Sequence, residues 1–534
     1  MRAVVTFGLL AVPATAYALR ALRRARARRV RLGLGRDGGE ESISSTTLDP
    51  PTSEEWDALR ENAHALLDAA INRLRSAKKG RVWTPVPDEL KASLSAPLPH
   101  AGVSDNELRI RLESLLPFGV GNTHPRFFGW VHGAGSAGGL LPEMVAAAMN
   151  ANCGGREHAA MYVERQVLAW ARDMMGFPKE CGALLVSGTS MATIVALKAA
   201  RDAHLGFESS RKGGLVGAQG GRLVAYAAQG THSCVKRALD VLGLGSDALR
   251  LVPVTADFTM DVMALDTLVD ADVAQGFSPF LVVGTAGSVN VGAIDDLDAI
   301  ADLARAKGLW FHVDGAFGAP AVLSDVVRPR LSGMERASSL AFDYHKWLHV
   351  NYDCGCVLIR DRDVHLRTFS ERPDYLASYE RGIAAGSPWP TDFGPELSRG
   401  FRALKVWSQL VHQGVDKLGA AISRNVEHAS YLAQKVDAAP HLERLAPTSL
   451  QIVVFRYVPL GWGADATKAT EIDALNDALV VELQESGSAA PSTTRIHGRL
   501  AIRVNITNHR TRFEDLDLLV EAVEQLGAKL AAGR

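Results

Sequence analysis

The chain has 534 residues, 47% of them hydrophobic, and a formal net charge of −1. That length supports a large core and more than one domain, and the balanced charge gives no field that would favour nucleic acid or an anionic surface. The five cysteines (Cys153, Cys181, Cys234, Cys354, Cys356) are odd in number and only the last two are close together, which fits reduced thiols better than a disulfide framework or a zinc site.

Residues 1–19 are largely apolar and are followed by a basic run: Arg20, Arg23, Arg24, Arg26, Arg28, Arg29 and Arg31. A secretory signal carries its charges before the apolar stretch, so the order argues against one. A membrane anchor takes about 20 apolar residues; this stretch is shorter and contains Pro13. If inserted, the arginines would hold the following body in the cytoplasm. A disordered arm or a mis-assigned start is the competing reading. Membrane contact is therefore expected only through residues 1–31, and a cytoplasmic body on either reading.

Gly, Ser, Thr, Asp and Pro mark a linker up to residue 52. A helical period runs from Ser53 to about Lys79 (Trp56, Leu59, Ala63, Leu66, Leu67, Ala70), and a second helix is expected around 105–116. Together, residues 53–118 read as an N-terminal arm. From 119 to 370, short apolar runs (182–186, 222–226, 279–284, 309–313) alternate with helical stretches such as 191–203 and 297–307. That alternation predicts an α/β domain with a mostly parallel sheet, whose ligands bind at the carboxyl ends of strands. Glycines and prolines in 371–399 suggest a mobile loop closing a large domain of 119–399. Residues 400–534 read as a small α+β domain.

The residues that carry chemistry lie just after the expected strands. Ser187-Gly188-Thr189-Ser190 opens a helix, where small residues, hydroxyls and the helix dipole suit a phosphate; an ordinary N-cap is the plainer alternative. His232 follows the next strand and is placed to stack on a flat ring, or merely to cap a helix. Thr285 offers a hydroxyl to a ligand or serves a turn. Asp314 ends a strand, and Ala316 leaves room for a ring beside it. Lys346, in Tyr344-His345-Lys346-Trp347, lies among apolar and aromatic neighbours, which should lower its pKa. A lysine and a strand-end carboxylate in this relation are what pyridoxal 5'-phosphate requires. The amine forms an imine with the aldehyde, and the carboxylate keeps the pyridine nitrogen protonated.

These residues occur together with His124-Pro125-Arg126-Phe127-Phe128-Gly129, Met191-Ala192-Thr193, Thr231-His232-Ser233, and Phe401-Arg402-Ala403-Leu404-Lys405. In this order they resemble the group II pyridoxal-phosphate-dependent amino-acid decarboxylases, of the aromatic-amino-acid, tyrosine and glutamate decarboxylase kind. The resemblance implies a fold type I transferase-like architecture, with a mostly parallel sheet in the large domain and a small C-terminal α+β domain. It implies decarboxylation of an L-amino acid to an amine and CO2. Lys346, Asp314 and His232 would be catalytic, with Ser187, Gly188, Thr189, Ser190, Thr285, Ala316 and His345 around the cofactor. Trp130 and His132 would line the substrate pocket, and Arg156 would reach it from a partner subunit in a homodimer wrapped by the arm. Trp130 and Phe128 incline the choice of substrate towards an aromatic amino acid.

Two departures stand out. The family's loop tyrosine, which protonates the substrate carbon, is expected near Pro390, yet no tyrosine occurs between Arg381 and Phe401; Tyr375 and Tyr379 are the nearest substitutes. Asp343 stands where the aromatic decarboxylases place an amide near the phosphate, and its charge should repel phosphate unless paired. An aldehyde synthase or an aminotransferase on the same fold, or a silent cofactor-binding homologue, are the alternatives.

Overall fold

A computed structural model describes residues 48–217, 220–371 and 378–533. Residues 1–47 and the expectations about an anchor there lie outside the described residues, as does Tyr375. No helix of the described residues is long and apolar enough to cross a membrane.

The chain divides into two units, one of residues 1–68 and 100–113, the other of 69–99 and 114–534. In the first, the start of helix Ser53–Arg75 meets helix Asp105–Leu115, where Arg109 Nε donates to Asn62 Oδ1 at 3.1 Å. Neither helix has a buried residue. The expected ends, Lys79 and 116, are close to those observed.

The second unit holds two sheets. Its strands are β1 Phe127–Phe128, β2 Gly182–Val186, β3 Leu223–Ala228, β4 Leu249–Val252, β5 Ser278–Thr285, β6 Trp310–Asp314, β7 Ser339–Asp343, β8 Gly355–Ile359, β9 Leu442–Arg444, β10 Ile452–Tyr457, β11 Ala490–Ile496 and β12 Arg499–Asn505. The larger sheet runs in the order β2-β8-β7-β6-β5-β3-β4. The pairs β3/β4, β3/β5, β5/β6 and β6/β7 are parallel, and β8 runs antiparallel to both of its neighbours. Strands β2, β3, β7 and β8 are buried along their whole length, which is why they read as continuous apolar runs and not as alternating ones. Helix Leu297–Lys307 shows how local chemistry sets bounds. Asp296 caps its start by accepting from Ala299 N–H at 3.0 Å, and Gly308 ends it at φ 68°.

The smaller sheet, in the order β1-β11-β12-β10-β9, is antiparallel except for β1, which joins β11 in parallel. Helices Val415–Ala438, Ala469–Ser486 and Phe513–Ala532 contribute to its core, including Leu432, Leu479 and Leu519. The architecture is α/β with a mostly parallel central sheet and a C-terminal domain.

The stretch expected to be a mobile loop is in its second half packed. Trp389, Asp392 and Phe393 are buried, and Trp389 N–H donates to Asp392 Oδ2 at 2.7 Å. Composition alone missed this because two aromatic anchors outweigh several glycines and prolines in burial energy.

Candidate active site

Register brings the chemistry to one edge. Thr285 pairs with Asp314, Asp314 with Ala341, and Asp343 with Gly355, which also pairs with Val186. The carboxyl ends of β2, β5, β6 and β7 therefore lie side by side, as expected for ligand binding in an open α/β sheet. A cavity of about 380 Å³ opens there, lined by Trp130, His132, His232, Thr285, Asp314, Ala316 and Lys346, together with Asn290, Phe317, Ser492 and Arg503 among others.

Seven of the residues singled out from the sequence thus share one cavity. Asp314 is held by Ala316 N–H on Oδ1 at 3.2 Å and by the Cys234 thiol on Oδ2 at 3.7 Å. His232 both caps helix Ser233–Val241, with Nδ1 accepting from Cys234 N–H at 3.2 Å, and faces the cavity, so its two readings are compatible. Burial pushes its pKa down against the pull of Asp314. His132 is likewise pushed down, by burial and then by the nearby His345 and Lys346.

Ser187, Gly188, Thr189 and Ser190 form the turn into helix Thr189–Leu205, beside the cavity and not among its lining. Thr189 is buried and Ser190 exposed. Thr189 N–H donates to Asp343 Oδ1 at 2.7 Å, and Asp343 Oδ2 holds Lys346 Nζ at 2.8 Å. His345 Nε2 lies 3.8 Å from the same oxygen, with its Nδ1 against the Cys354 backbone at 3.0 Å. The charge on Asp343 is therefore paired. This corrects the expected lowering of the Lys346 pKa. Burial does act to lower it, but the carboxylate of Asp343, by its charge and its hydrogen bond, raises it overall.

The turn carrying Lys346 is fixed from two sides. Trp347 is fully buried and donates from Nε1 to Asn425 Oδ1 at 3.0 Å. Gly133 packs so closely that a Cβ there would strike His345 O and lie 2.5 Å from Lys346 O. Arg156 does not line the cavity. Its guanidinium lies over the Trp389 ring, 4.9 Å from the centroid. Tyr379 is exposed.

Sequence reasoning missed Arg503. Nη1 donates to Trp130 O at 2.8 Å and Nε to Val289 O at 2.9 Å, while Nη2 is buried with no partner among the described residues. Burial lowers its pKa to about 10. A charge inside the apolar run 500–504 was the available signal. Cys234 was missed too, because nothing in its spacing indicates that it bonds to Asp314.

A family model described as the pyridoxal-dependent decarboxylase conserved domain matches residues 87–458. The chain belongs to this decarboxylase family. An aromatic-L-amino-acid decarboxylase of Bacillus atrophaeus is 32% identical over 486 residues, covering 89% of this chain and 96% of that protein. A phenylacetaldehyde synthase of Arabidopsis thaliana is 28% identical, covering 87% and 94%. Among solved structures, Oryza sativa TDC with PLP and tryptamine superposes with a TM-score of 0.80 at 27% identity, covering 91% of this chain and all of that one. The chain is thus a pyridoxal-phosphate-dependent carboxy-lyase of fold type I. Its residues fit the cofactor. Thr189 Oγ1 is a buried hydroxyl without a partner among the described residues, and the cavity presents one amine and one carboxylate on neighbouring strand ends.

Proposed function

We propose that the chain decarboxylates an aromatic L-amino acid, releasing the amine and CO2. The observation that carries this is the single cavity lined by Asp314 and Lys346 together with Trp130, His132 and Phe317. Trp130 and His132 lie with ring centroids 5.7 Å apart, a surface on which an aromatic side chain can pack.

Lys346 would hold pyridoxal phosphate through Nζ, with the turn 187–190 and His345 at its phosphate, and Thr285, Ala316 and His232 around its ring. When bound, the cofactor supplies an electron sink for the pair left by the breaking bond to the carboxylate. Asp314 would hold a proton at the ring nitrogen, its own oxygens fixed by Ala316 N–H and the Cys234 thiol. Arg503, buried beside the cavity, fixes the Trp130 backbone through Nη1 and would help orient the substrate.

Lys346→Ala should abolish turnover and the visible absorbance of covalently held cofactor. Retention of that absorbance would remove Lys346 from its role. A screen for CO2 release over the common amino acids, with products identified by mass, tests the aromatic assignment; release from acidic amino acids alone would overturn it.

A second reading has a specific support. No tyrosine occurs between Arg381 and Phe401, and a phenylacetaldehyde synthase is among the relatives. If oxygen takes up the electrons before the carbon is protonated, aldehyde, ammonia and peroxide replace the amine. Measuring peroxide and amine in one reaction separates the two.

We also propose a homodimer with shared sites. Arg156 lies outside the cavity of its own chain, and helix Leu140–Met149 exposes Leu141, Met144, Val145 and Met149, an apolar face suited to a second copy. A monomeric mass by light scattering would refute it.

A further inference from the structure

One backbone donor of the turn into helix Thr189–Leu205 is already engaged by a protein carboxylate. Asp343, 1% exposed, takes Thr189 N–H on one oxygen and Lys346 Nζ on the other, at 2.7 and 2.8 Å. The packing leaves it nowhere else to go. A Cβ on Gly355 would lie 2.7 Å from Asp343 Oδ1 and 2.6 Å from Gly188 Cα, and one on Gly188 would touch the same carboxylate at 3.5 Å.

We propose that Asp343 is a cofactor-site residue that couples capture of the cofactor's phosphate to the uptake of one proton. The proposal rests on the assignment of the 187–190 turn to that phosphate. A phosphate entering the turn meets a carboxylate that already holds one of its donors, Thr189 N–H. Two anions in one buried cradle repel strongly in a low dielectric. A single proton between a carboxyl oxygen and a phosphate oxygen converts the repulsion into an O–H···O hydrogen bond. No neighbouring group relieves the clash instead. Lys346 Nζ, which pairs with Asp343 in the free chain, is the amine that would join the cofactor's aldehyde, so it is not left to balance both anions once the cofactor is held. His345 has Nδ1 against the Cys354 backbone and Nε2 3.8 Å from Asp343, and burial disfavours its cation. Burial lowers the pKa of His232, which also feels Asp343, and so disfavours its cation, and Tyr352, whose ring lies 4.4 Å from that of His345, bears no positive charge.

The test compares pyridoxal phosphate with pyridoxal, which lacks the phosphate, by equilibrium dialysis against the full chain at several pH values from neutral upward. The wild-type dissociation constant for the phosphate form should rise, relative to pyridoxal, by about tenfold per pH unit. Asp343→Asn and Asp343→Ser should remove that relative slope and bind the phosphate form more tightly at alkaline pH. Equal relative slopes in the wild type and Asp343→Asn would overturn the proposal. A measurement on the wild type alone guards against variants that do not fold. Calorimetry in two buffers of different ionisation enthalpy should count about one more proton taken up with pyridoxal phosphate than with pyridoxal, and equal counts would overturn it. If the two forms bind equally well at every pH, the phosphate assignment of the turn fails and the proposal falls with it. That result is distinct from a tightly held phosphate with no proton coupled.

Discussion

Replacing Arg399 by methionine should destabilise the protein by about 3–5 kcal/mol, the range for breaking a buried ion pair by removing one partner. Arg399 and Glu164 have side chains 1% and 2% exposed, joined at 2.7 and 3.1 Å. The guanidinium also donates to Cys153 O and Leu185 O, each at 2.7 Å. Methionine preserves much of the volume, so the loss comes from an uncompensated buried carboxylate and two orphaned carbonyls, not from a cavity. The double variant Arg399→Met with Glu164→Leu removes both charges and should recover most of the loss, leaving the roughly 1–3 kcal/mol typical of buried carbonyls without donors. Urea unfolding of the cofactor-saturated protein measures both. A cost below about 1 kcal/mol for the single variant, or a double variant no better than it, would refute the assignment of this pair as a buried ionic staple.

Gly133→Ala should lower cofactor occupancy and activity together, because its Cβ would strike the backbone carbonyl of His345 and displace the turn that carries Lys346; normal occupancy by absorbance would contradict this. Trp347→Ala should destabilise by about 3–5 kcal/mol by emptying a fully buried site and leaving Asn425 Oδ1 without its donor, read by denaturant midpoint. Acid should weaken the fold. Burial pushes His312, His365 and His509 down to about 4 and His349 well down, so the folded chain keeps them neutral while the unfolded chain protonates near pH 6.5. Stability should fall as pH drops from about 6.5 to about 4, by up to tenfold in the folding constant per pH unit for each ring. Equal urea midpoints at the two ends of that window would refute it.

How far the sequence spoke depended on the kind of property. Strand ends were legible because a buried parallel strand is a short apolar run closed by a polar residue, as at Asp314, the last residue of β6. The helix between Asp296 and Gly308 was legible because both ends carry capping chemistry. Direction was not. Trp347, Leu348 and Phe342 around Lys346 spoke for a lowered pKa, but Asp343 points its carboxylate at the amine, and one ion pair at 2.8 Å outweighs the apolar surroundings. Arg503 shows the same limit, since a charge in an apolar strand is visible as an anomaly while its facing depends on the pairing of β11 and β12.

The three carboxylates gathered at these strand ends are balanced differently, and the difference singles out one of them. Asp295 takes Met260 N–H at 2.7 Å and Thr285 N–H at 2.8 Å, and burial raises its pKa to about 6, so it sits at the border of neutrality without needing a cation. Asp343 has Lys346 and Thr189 N–H. Asp314 has one N–H and one weak thiol donor, and among the described residues no cationic side chain stands within ion-pair distance of it. A carboxylate buried at the wall of a cavity and left short of positive charge favours a ligand that brings a proton on nitrogen. That unmet demand is why we assign the ring nitrogen to Asp314 and not to either of its neighbours, and why Asp314→Asn should weaken retention of the cofactor's ring more than Asp295→Asn does.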